Sequence, residues 1–126
     1  MLKKLLYNQK ISKILLLFIV ILIYNVPRLL AQKSPVENFK VCAACHNLSE
    51  EKKIGPGLKG VTERRDEAWL IKFIQSSQTM IKEGDKIAVQ LFEEYNKIPM
   101  PDNNLSEQEI KELLAYIENP EAFEDK

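Results

Sequence analysis

Apolar side chains recur at intervals of three and four in three segments of the second half of the chain. In the first of these segments, Trp69, Leu70, Phe73 and Ile74 share this spacing. The later segments repeat it through Ala88, Leu91, Phe92 and Tyr95, and then through Ile110, Leu113, Leu114 and Ile117. Residues three and four positions apart lie on one face of a helix, so the pattern predicts three amphipathic helices. The alternation typical of strands is almost absent.

A further helix is predicted ahead of these three, from a signal at its start. Ser34 is suited to cap this helix, Pro35 to occupy its first position and Glu37 its third. Val36 and Phe39 then fall on one face, which is expected to pack against the rest of the protein.

Local signals also mark the limits of the later helices. Asp85 is the expected cap of one helix, and Ser106 with Glu109 forms a capping box at the start of the last. Pro120 ends this last helix. Residues 47–65 contain three glycines and one proline, which predicts an irregular loop. Together these signals predict an all-α fold of about four short helices.

The chain starts with a basic segment followed by an apolar run, ILLLFIVILIY, at residues 14–24. A helix that spans a bilayer needs roughly 20 apolar residues, whereas the core of an export signal needs roughly 7–15. The run has eleven residues, so its length favours an export signal. A buried core helix is the alternative, but it does not explain the lysines that precede the run.

A cleavage site is available shortly after this run. A signal peptidase would cut between Ala31 and Gln32, although Leu29 replaces the small residue that is usual two positions before the cut. We therefore expect residues 1–31 to be a signal peptide that directs the protein to the periplasm. The alternative is a retained segment, with residues 11–30 tethering the protein to the membrane.

Charge divides the chain at the same place. The first 31 residues carry five basic side chains and no acidic one, whereas the remainder has 13 basic and 18 acidic residues, a net charge of about −5. Binding to nucleic acid phosphates needs clustered Lys and Arg, so the acidic body argues against such a partner. Residues 32–126 suffice for one small domain, whose thin core benefits from an additional group to pack around.

The sequence CAACH brings Cys42, Cys45 and His46 together, and His46 is the only histidine of the chain. The spacing is that of c-type haem attachment, C-x-x-C-H. Each cysteine would form a thioether with a former vinyl group, and the adjacent histidine would then be carried over the haem face to bind iron. Covalent attachment suits an exported protein, because the cofactor cannot diffuse away. We therefore expect one covalently bound haem c.

Three other kinds of site use closely spaced cysteines. A thioredoxin-like redox pair is expected within a βαβ unit, which the sequence does not predict. A structural zinc site needs four ligands, and without a third cysteine or a second histidine the missing ligand would have to be Asp or Glu. A plain disulfide would leave the adjacent His46 without a role.

A second axial ligand for the iron has to come from elsewhere in the chain. With no other histidine, methionine is the usual soft ligand, and the candidates are Met80 and Met100. Met100 lies between Pro99 and Pro101, which hold the backbone extended and lower the ordering cost of ligation. Met80 follows the helix of Trp69 without such a restraint, and we interpret it as a packing residue near the haem edge or at the surface. Met100 is the expected ligand, and Met80 or an open site are the alternatives.

These motifs give the sequence a resemblance to the monohaem class I cytochromes c, small electron-transfer proteins of periplasms and mitochondrial intermembrane spaces. CAACH follows the first helix, GPGL comes next at residues 55–58, and MP at residues 100–101 precedes the last helix. The attachment motif alone occurs in many haem proteins, but the three motifs in this order are specific. The resemblance covers essentially all of residues 32–126 and implies a small cytochrome c-like fold wrapped around the haem.

The resemblance also implies two contacts around the haem. In this family the carbonyl at the position of Pro56 accepts a hydrogen bond from the haem-binding histidine, here His46, which orients the imidazole. The first and last helices usually cross at aromatic and small residues, here Phe39 against Leu113 and Tyr116.

Other side chains are expected to surround the haem. The resemblance implies that Leu58 packs on it. Trp69 either donates its indole N–H to a haem propionate, as an aromatic residue does in many relatives, or is a core residue whose N–H is satisfied elsewhere. Arg64 and Arg65 are interpreted as a solvated pair rather than as partners of the propionates. The expected apolar wall consists of Leu58, Phe73, Leu91, Phe92 and Ile98.

The expected function is that of an exported electron carrier that is not an enzyme. His46 and Met100 would stay bound to iron in both oxidation states, which limits reorganisation. The expected partners are redox proteins of a respiratory chain, with a quinol-oxidising complex as donor and a terminal oxidase or reductase as acceptor. Their docking faces would be basic or apolar. The alternative is a haem-based peroxidase or small-ligand sensor with an open sixth iron position.

Overall fold

The computed structural model describes residues 12–22 and 33–123 of the chain. The chain divides into two compact units, Met1–Lys33 and Ser34–Lys126. In the first unit, residues 12–22 are helical (α1) and their apolar side chains are exposed. None of the helices in the described residues is long and apolar enough to cross a membrane. The expected cleavage site between Ala31 and Gln32 lies outside the described residues.

The second unit is all-helical in its described part, as the sequence predicts. Its elements are α2 (Pro35–Cys42), α3 (Val61–Arg64), α4 (Glu67–Lys82), α5 (Lys86–Glu94), α6 (Glu107–Glu118) and a 3-10 turn (Pro120–Phe123). The helices α2, α4, α5 and α6 are the four that apolar spacing and caps predict. The short helix α3 was expected to be loop, because a single turn is too short for its apolar spacing to be recognised.

The predicted caps are present at the helix starts. The Oγ of Ser34 accepts a hydrogen bond from the N–H of Glu37, at 3.2 Å. The Oγ of Ser106 accepts from the N–H of Glu109, at 3.3 Å, while Oε2 of Glu109 accepts from the N–H of Ser106, at 2.8 Å. A helix cap of this kind contributes about 1 kcal/mol to stability. The capping box of α6 is therefore confirmed.

The core lies where α2 crosses α6. The ring of Phe39 meets the ring of Tyr116 edge to face, with 5.5 Å between centroids. Ile110 and Leu113 of α6 are fully buried, and α4 packs against the same helix. The predicted crossing of the first and last helices is thereby confirmed, and it leaves the far side of α4 to pack against α5.

Helix α4 extends further than the sequence predicts and is kinked in the middle. Ser76 has φ −157° and ψ 88°, which are not helical values, and the helix resumes after it. The expectation that Met80 follows the helix is wrong, because Met80 lies in this resumed part. Its side chain is buried, at 8% exposure, so it is a packing residue but not a surface one.

Candidate haem-binding site

Two adjoining cavities, of about 150 and about 330 Å³, lie between the α2–α6 pair and the α4–α5 pair. Six residues line both cavities, so the two cavities are lobes of a single slot. The residues that line both are Cys42, His46, Pro56, Phe73, Leu91 and Met100. The slot therefore joins the three sequence motifs that are separated along the chain.

The CAACH motif forms a tight turn at the end of α2. The N–H groups of Cys45 and His46 both donate to the carbonyl of Cys42, at 3.0 and 2.9 Å. This turn brings both cysteines and the imidazole to one rim of the slot, because all three line it. Local hydrogen bonding thus places the three residues of the motif together at the slot.

Both cysteines have free thiols, which does not support the disulfide alternative. Burial raises the pKa of the Cys42 thiol above its ordinary value, outweighing the effect of a backbone hydrogen bond that lowers it. Among the described residues, no group of three or more His, Cys, Asp or Glu side chains could hold a metal ion. The zinc alternative therefore has no support.

The imidazole of His46 is held by the GPGL loop. Its Nδ1 lies 2.8 Å from the carbonyl oxygen of Pro56, the contact that the resemblance implies. A carbonyl only accepts hydrogen bonds, so Nδ1 carries the proton and donates. The lone pair of the neutral ring is then on Nε2, the nitrogen that a metal would bind.

Gly55 lies against the same imidazole. A Cβ at this position would be 2.5 Å from Cε1 and 2.9 Å from Nδ1 of His46. Its own N–H donates to the carbonyl of Cys45, at 2.8 Å, which fixes the loop on the CAACH turn. The motif GPGL indicates a turn, but the close approach of Gly55 to the ring could not be recognised from the sequence.

Met100 and Met80 are placed very differently relative to the slot. Met100 lines both lobes, as does His46, whereas Met80 lines neither. The main chain at Met100 is held by α4, since the Oγ of Ser77 donates to the carbonyl of Met100 at 3.2 Å. This geometry favours Met100 over Met80 as the residue opposite His46.

The rest of the lining is mostly apolar. The five residues expected to form the wall all border the slot: Leu58, Phe73, Leu91, Phe92 and Ile98. An apolar slot with a nitrogen donor and a thioether on its lining suits a flat apolar cofactor that contains iron. The unpaired cysteines on its rim suit covalent attachment. The residues present therefore fit a haem c.

The sequence leaves two partners open for the indole N–H of Trp69, a haem propionate or a group within the protein, and in the structure the partner is within the protein. The indole Nε1 donates to Oδ2 of Asp85, at 3.2 Å, because Asp85 caps α5 directly beside the start of α4. The alternative, a tryptophan whose N–H is satisfied within the protein, is the observed one. The indole stacks on Phe73 at 4.7 Å and lines the smaller lobe, so its contact with the slot is apolar.

Two arginines also border the smaller lobe. Arg64 donates from Nη1 to the carbonyl of Lys59, and Arg65 donates to the carbonyl of Arg64. Neither has an ion pair with a carboxylate of the described residues. Arg64 is exposed and Arg65 is half-buried, and both line the smaller lobe of the slot.

We predict that Asp85 makes stability depend on acid pH. Hydrogen bonds lower the pKa of Asp85, mainly the one from the N–H of Ala88 and to a smaller extent that from Trp69. A carboxyl whose pKa is lowered on folding stabilises the protein above its unfolded pKa of about 3.9, and this contribution is lost as the pH falls through the folded pKa. Urea unfolding should therefore show a stability difference between wild type and Asp85→Asn that shrinks as the pH falls from 7 to 3.

Trp69→Phe serves as the control for this prediction, because it removes the indole donor and keeps the ring. When Asp85→Asn is introduced into the Trp69→Phe protein, the stability difference that it causes should depend on pH less strongly than in the wild type. The dependence should not vanish, since the backbone N–H of Ala88 still donates to Asp85. A difference between wild type and Asp85→Asn that is the same at pH 7 and pH 3 would contradict the assignment.

Comparison with known proteins points to one family. The family model described as cytochrome c matches residues 36–120. A cytochrome c-553-like protein of Synechocystis sp. is 32% identical over 76 residues, which are 60% of this chain and 55% of that protein. The chain thus spans little more than half the length of this relative.

Two solved structures share the fold. The cytochrome c domain of the pp3183 protein from Pseudomonas putida is 33% identical with a TM-score of 0.60, covering 71% of this chain and 90% of that one. A cytochrome c from Rhodothermus marinus is also 33% identical with a TM-score of 0.59, covering 66% of this chain and 70% of that one. With the family model spanning more than half of its length, the chain belongs to the cytochrome c family, whose domain implies a covalently bound haem c with its iron.

Proposed function

We propose that this protein is an electron carrier in which Cys42 and Cys45 attach the haem while His46 and Met100 are the axial ligands of the iron. The observation that carries this proposal is that His46 and Met100 line the same apolar slot, with the Nδ1 of His46 bonded to Pro56. Membership of the cytochrome c family supports electron transfer as the activity.

Each residue has a separate task in this proposal. The bound haem supplies an iron that gains and loses one electron. The carbonyl of Pro56 fixes the tautomer and orientation of His46 and makes Nε2 a stronger donor. The thioether of Met100 is a soft ligand that raises the reduction potential. The imidazole of His46 and the main chain of Met100 are each held by a hydrogen bond, so the same two ligands would remain in both oxidation states and reorganisation would be small.

The rim of the larger lobe supports docking of a redox partner. Val41, Ile54 and Ile98 line this lobe and are 70%, 46% and 50% exposed. Large apolar side chains gathered at one opening are typical of an interaction surface. The acidic balance of residues 32–126 favours a partner with basic groups around an apolar centre.

The proposed setting is a respiratory chain outside the cytoplasm. The donor would be a quinol-oxidising complex and the acceptor a terminal oxidase or reductase. Export rests on the basic start and the apolar run of residues 14–24. The mass of the mature protein tests it, since cleavage after Ala31 removes the whole basic segment, whereas a tethered protein retains residues 11–30.

An absorption spectrum of the purified protein, with a pyridine haemochrome assay, tests the core of the proposal. We expect the haem to stay with the protein in acidified organic solvent, the oxidised form to show the weak charge-transfer band of methionine ligation, and the protein to titrate reversibly with one electron. A colourless protein, or one that releases its pigment, would refute covalent attachment. High-spin features in the oxidised form would favour the peroxidase or sensor alternative.

A further inference from the structure

The kink of α4 lies where main-chain groups of this helix bind a residue from a distant part of the chain. Ser76 departs from helical geometry, and an interruption of this kind withdraws nearby carbonyls from the regular helical hydrogen bonds. The carbonyls of Ile74 and Gln75 accept from Asn103, from its side-chain Nδ2 and its backbone N–H, both at 3.1 Å. A residue far along the chain thus completes the hydrogen bonding of the kink.

The loop that contains Met100 is attached to this kink at several points. Ser77, which is only 1% exposed, donates to the carbonyl of Met100 at 3.2 Å. Asn103 also donates from Nδ2 to the carbonyl of Pro101, at 3.1 Å. Ser76 donates to the carboxylate of Asp102 at 2.9 Å. Three positions of the loop, at Met100, Asp102 and Asn103, are therefore held by residues 74–77 of α4.

These contacts supply something that the prolines beside Met100 do not. A proline fixes the local backbone direction, but it does not determine where the loop lies relative to α4. Ser77 acts on the main chain of Met100 itself, and both Ser77 and Asn103 line the larger lobe of the slot. The position of the thioether therefore depends on hydrogen bonds from the kink.

We propose that Ser77 and Asn103 are positioning residues that hold Met100 at the iron and oppose its replacement by external ligands. This inference rests on the proposed ligation by Met100. If the hydroxyl of Ser77 is removed, the carbonyl of Met100 loses its donor in a part-buried place, and such losses are costly. The loop then detaches from α4 more readily, and the iron becomes more accessible to a competing ligand.

Imidazole binding to the oxidised holoprotein measures this effect. We expect Ser77→Ala to bind imidazole about tenfold more tightly than the wild type, which corresponds to about 1.4 kcal/mol. The charge-transfer band of methionine ligation should disappear on heating well before the helices unfold. Asn103→Ala, a change on the loop side of the contact, should shift both measurements in the same direction.

Ser106→Ala is the matched control. It removes a hydroxyl that also makes hydrogen bonds, but these join it to Glu109 at the start of α6 and not to Met100 or α4. It should lower the stability of the fold while leaving imidazole affinity within about twofold of the wild type, since side chains that share no hydrogen-bond partner act nearly independently. Equal imidazole affinities for Ser77→Ala and Ser106→Ala would overturn the positioning role.

The outcomes separate this inference from the function it rests on. If the wild type lacks the charge-transfer band and Met100→Ala binds imidazole no better, ligation by Met100 fails, and the inference fails with it. If the band is present but Ser77→Ala behaves as the control does, only the positioning role fails. If Ser77→Ala does not assemble with haem, the imidazole affinity of Asn103→Ala is compared with that of Ser106→Ala in its place. Equal affinities of these two variants would then overturn the positioning role.

Discussion

Met100→Ala is expected to abolish the charge-transfer band of the oxidised protein and to lower its reduction potential. In the proposed site the thioether is the soft ligand that would favour the reduced iron, and alanine offers no atom in its place. The expected fall is on the order of 0.1 V or more, within the roughly 0.8 V over which axial ligands set haem potentials. Absorption spectra and a redox titration of the two proteins measure both changes.

Met80→Ala is the matched control, since it makes the same substitution at a buried site away from the slot. Met80 is 8% exposed within α4 and lines neither lobe. Truncating a buried methionine costs about 2–5 kcal/mol of stability, so thermal unfolding should occur at a lower temperature. The band and the potential should stay as in the wild type. The reverse pattern, with the band lost in Met80→Ala and kept in Met100→Ala, would show that the ligand assignment is wrong.

The features that the sequence predicts correctly depend on contacts close along the chain. The capping box of Ser106 and Glu109 joins residues three positions apart, and the CAACH turn closes within five residues. Apolar spacing reports only which face of a helix is buried, and the crossing of Phe39 and Tyr116 was implied by the family resemblance rather than by this spacing. Local chemistry thus fixes most of the helices and one side of the haem site.

The features that could not be predicted depend on residues distant in sequence. The indole N–H of Trp69 donates to Asp85, sixteen positions later in the chain. The sequence indicates Asp85 as a helix cap and Trp69 as a residue near the haem or in the core, but it does not indicate that the two are hydrogen-bonded. Ser77 and Asn103 are typical surface or loop residues by composition. Their contacts with the Met100 loop and with the kink of α4 span 23 and 29 positions, respectively. No local pattern encodes such pairings.

The role of Gly55 belongs to this second class, although the residue lies inside a recognised motif. A glycine before proline is compatible with any turn, and the sequence gives no reason why a small side chain would be excluded. The structure supplies the reason, because the space that a Cβ would occupy is taken by the imidazole of His46. The GPGL loop thus holds the ligand by contact as well as by the hydrogen bond from Nδ1 to Pro56.

Gly84 offers a comparison for a substitution at Gly55. A Cβ at Gly84 would meet nothing within 4 Å, but the residue has φ +81°, which alanine adopts only with strain. Gly84→Ala should therefore lose about 1–2 kcal/mol of stability for backbone reasons alone. Because the site is away from the slot, the haem spectrum should not change. The stability lost in Gly84→Ala is therefore the reference for a glycine-to-alanine substitution that does not involve His46.

Gly55→Ala is expected to disturb the haem ligand as well as the fold. A Cβ 2.5 Å from Cε1 forces the imidazole of His46 to tilt, and the tilt breaks the 2.8 Å hydrogen bond to Pro56. Overpacking of this kind costs about 1–3 kcal/mol, and here the displaced group is the proposed iron ligand. We expect high-spin features in the oxidised spectrum and a lower yield of protein carrying haem, together with a fall in thermal stability. If Gly55→Ala and Gly84→Ala lose similar stability and both keep the wild-type spectrum, the contact with Gly55 does not control the orientation of His46.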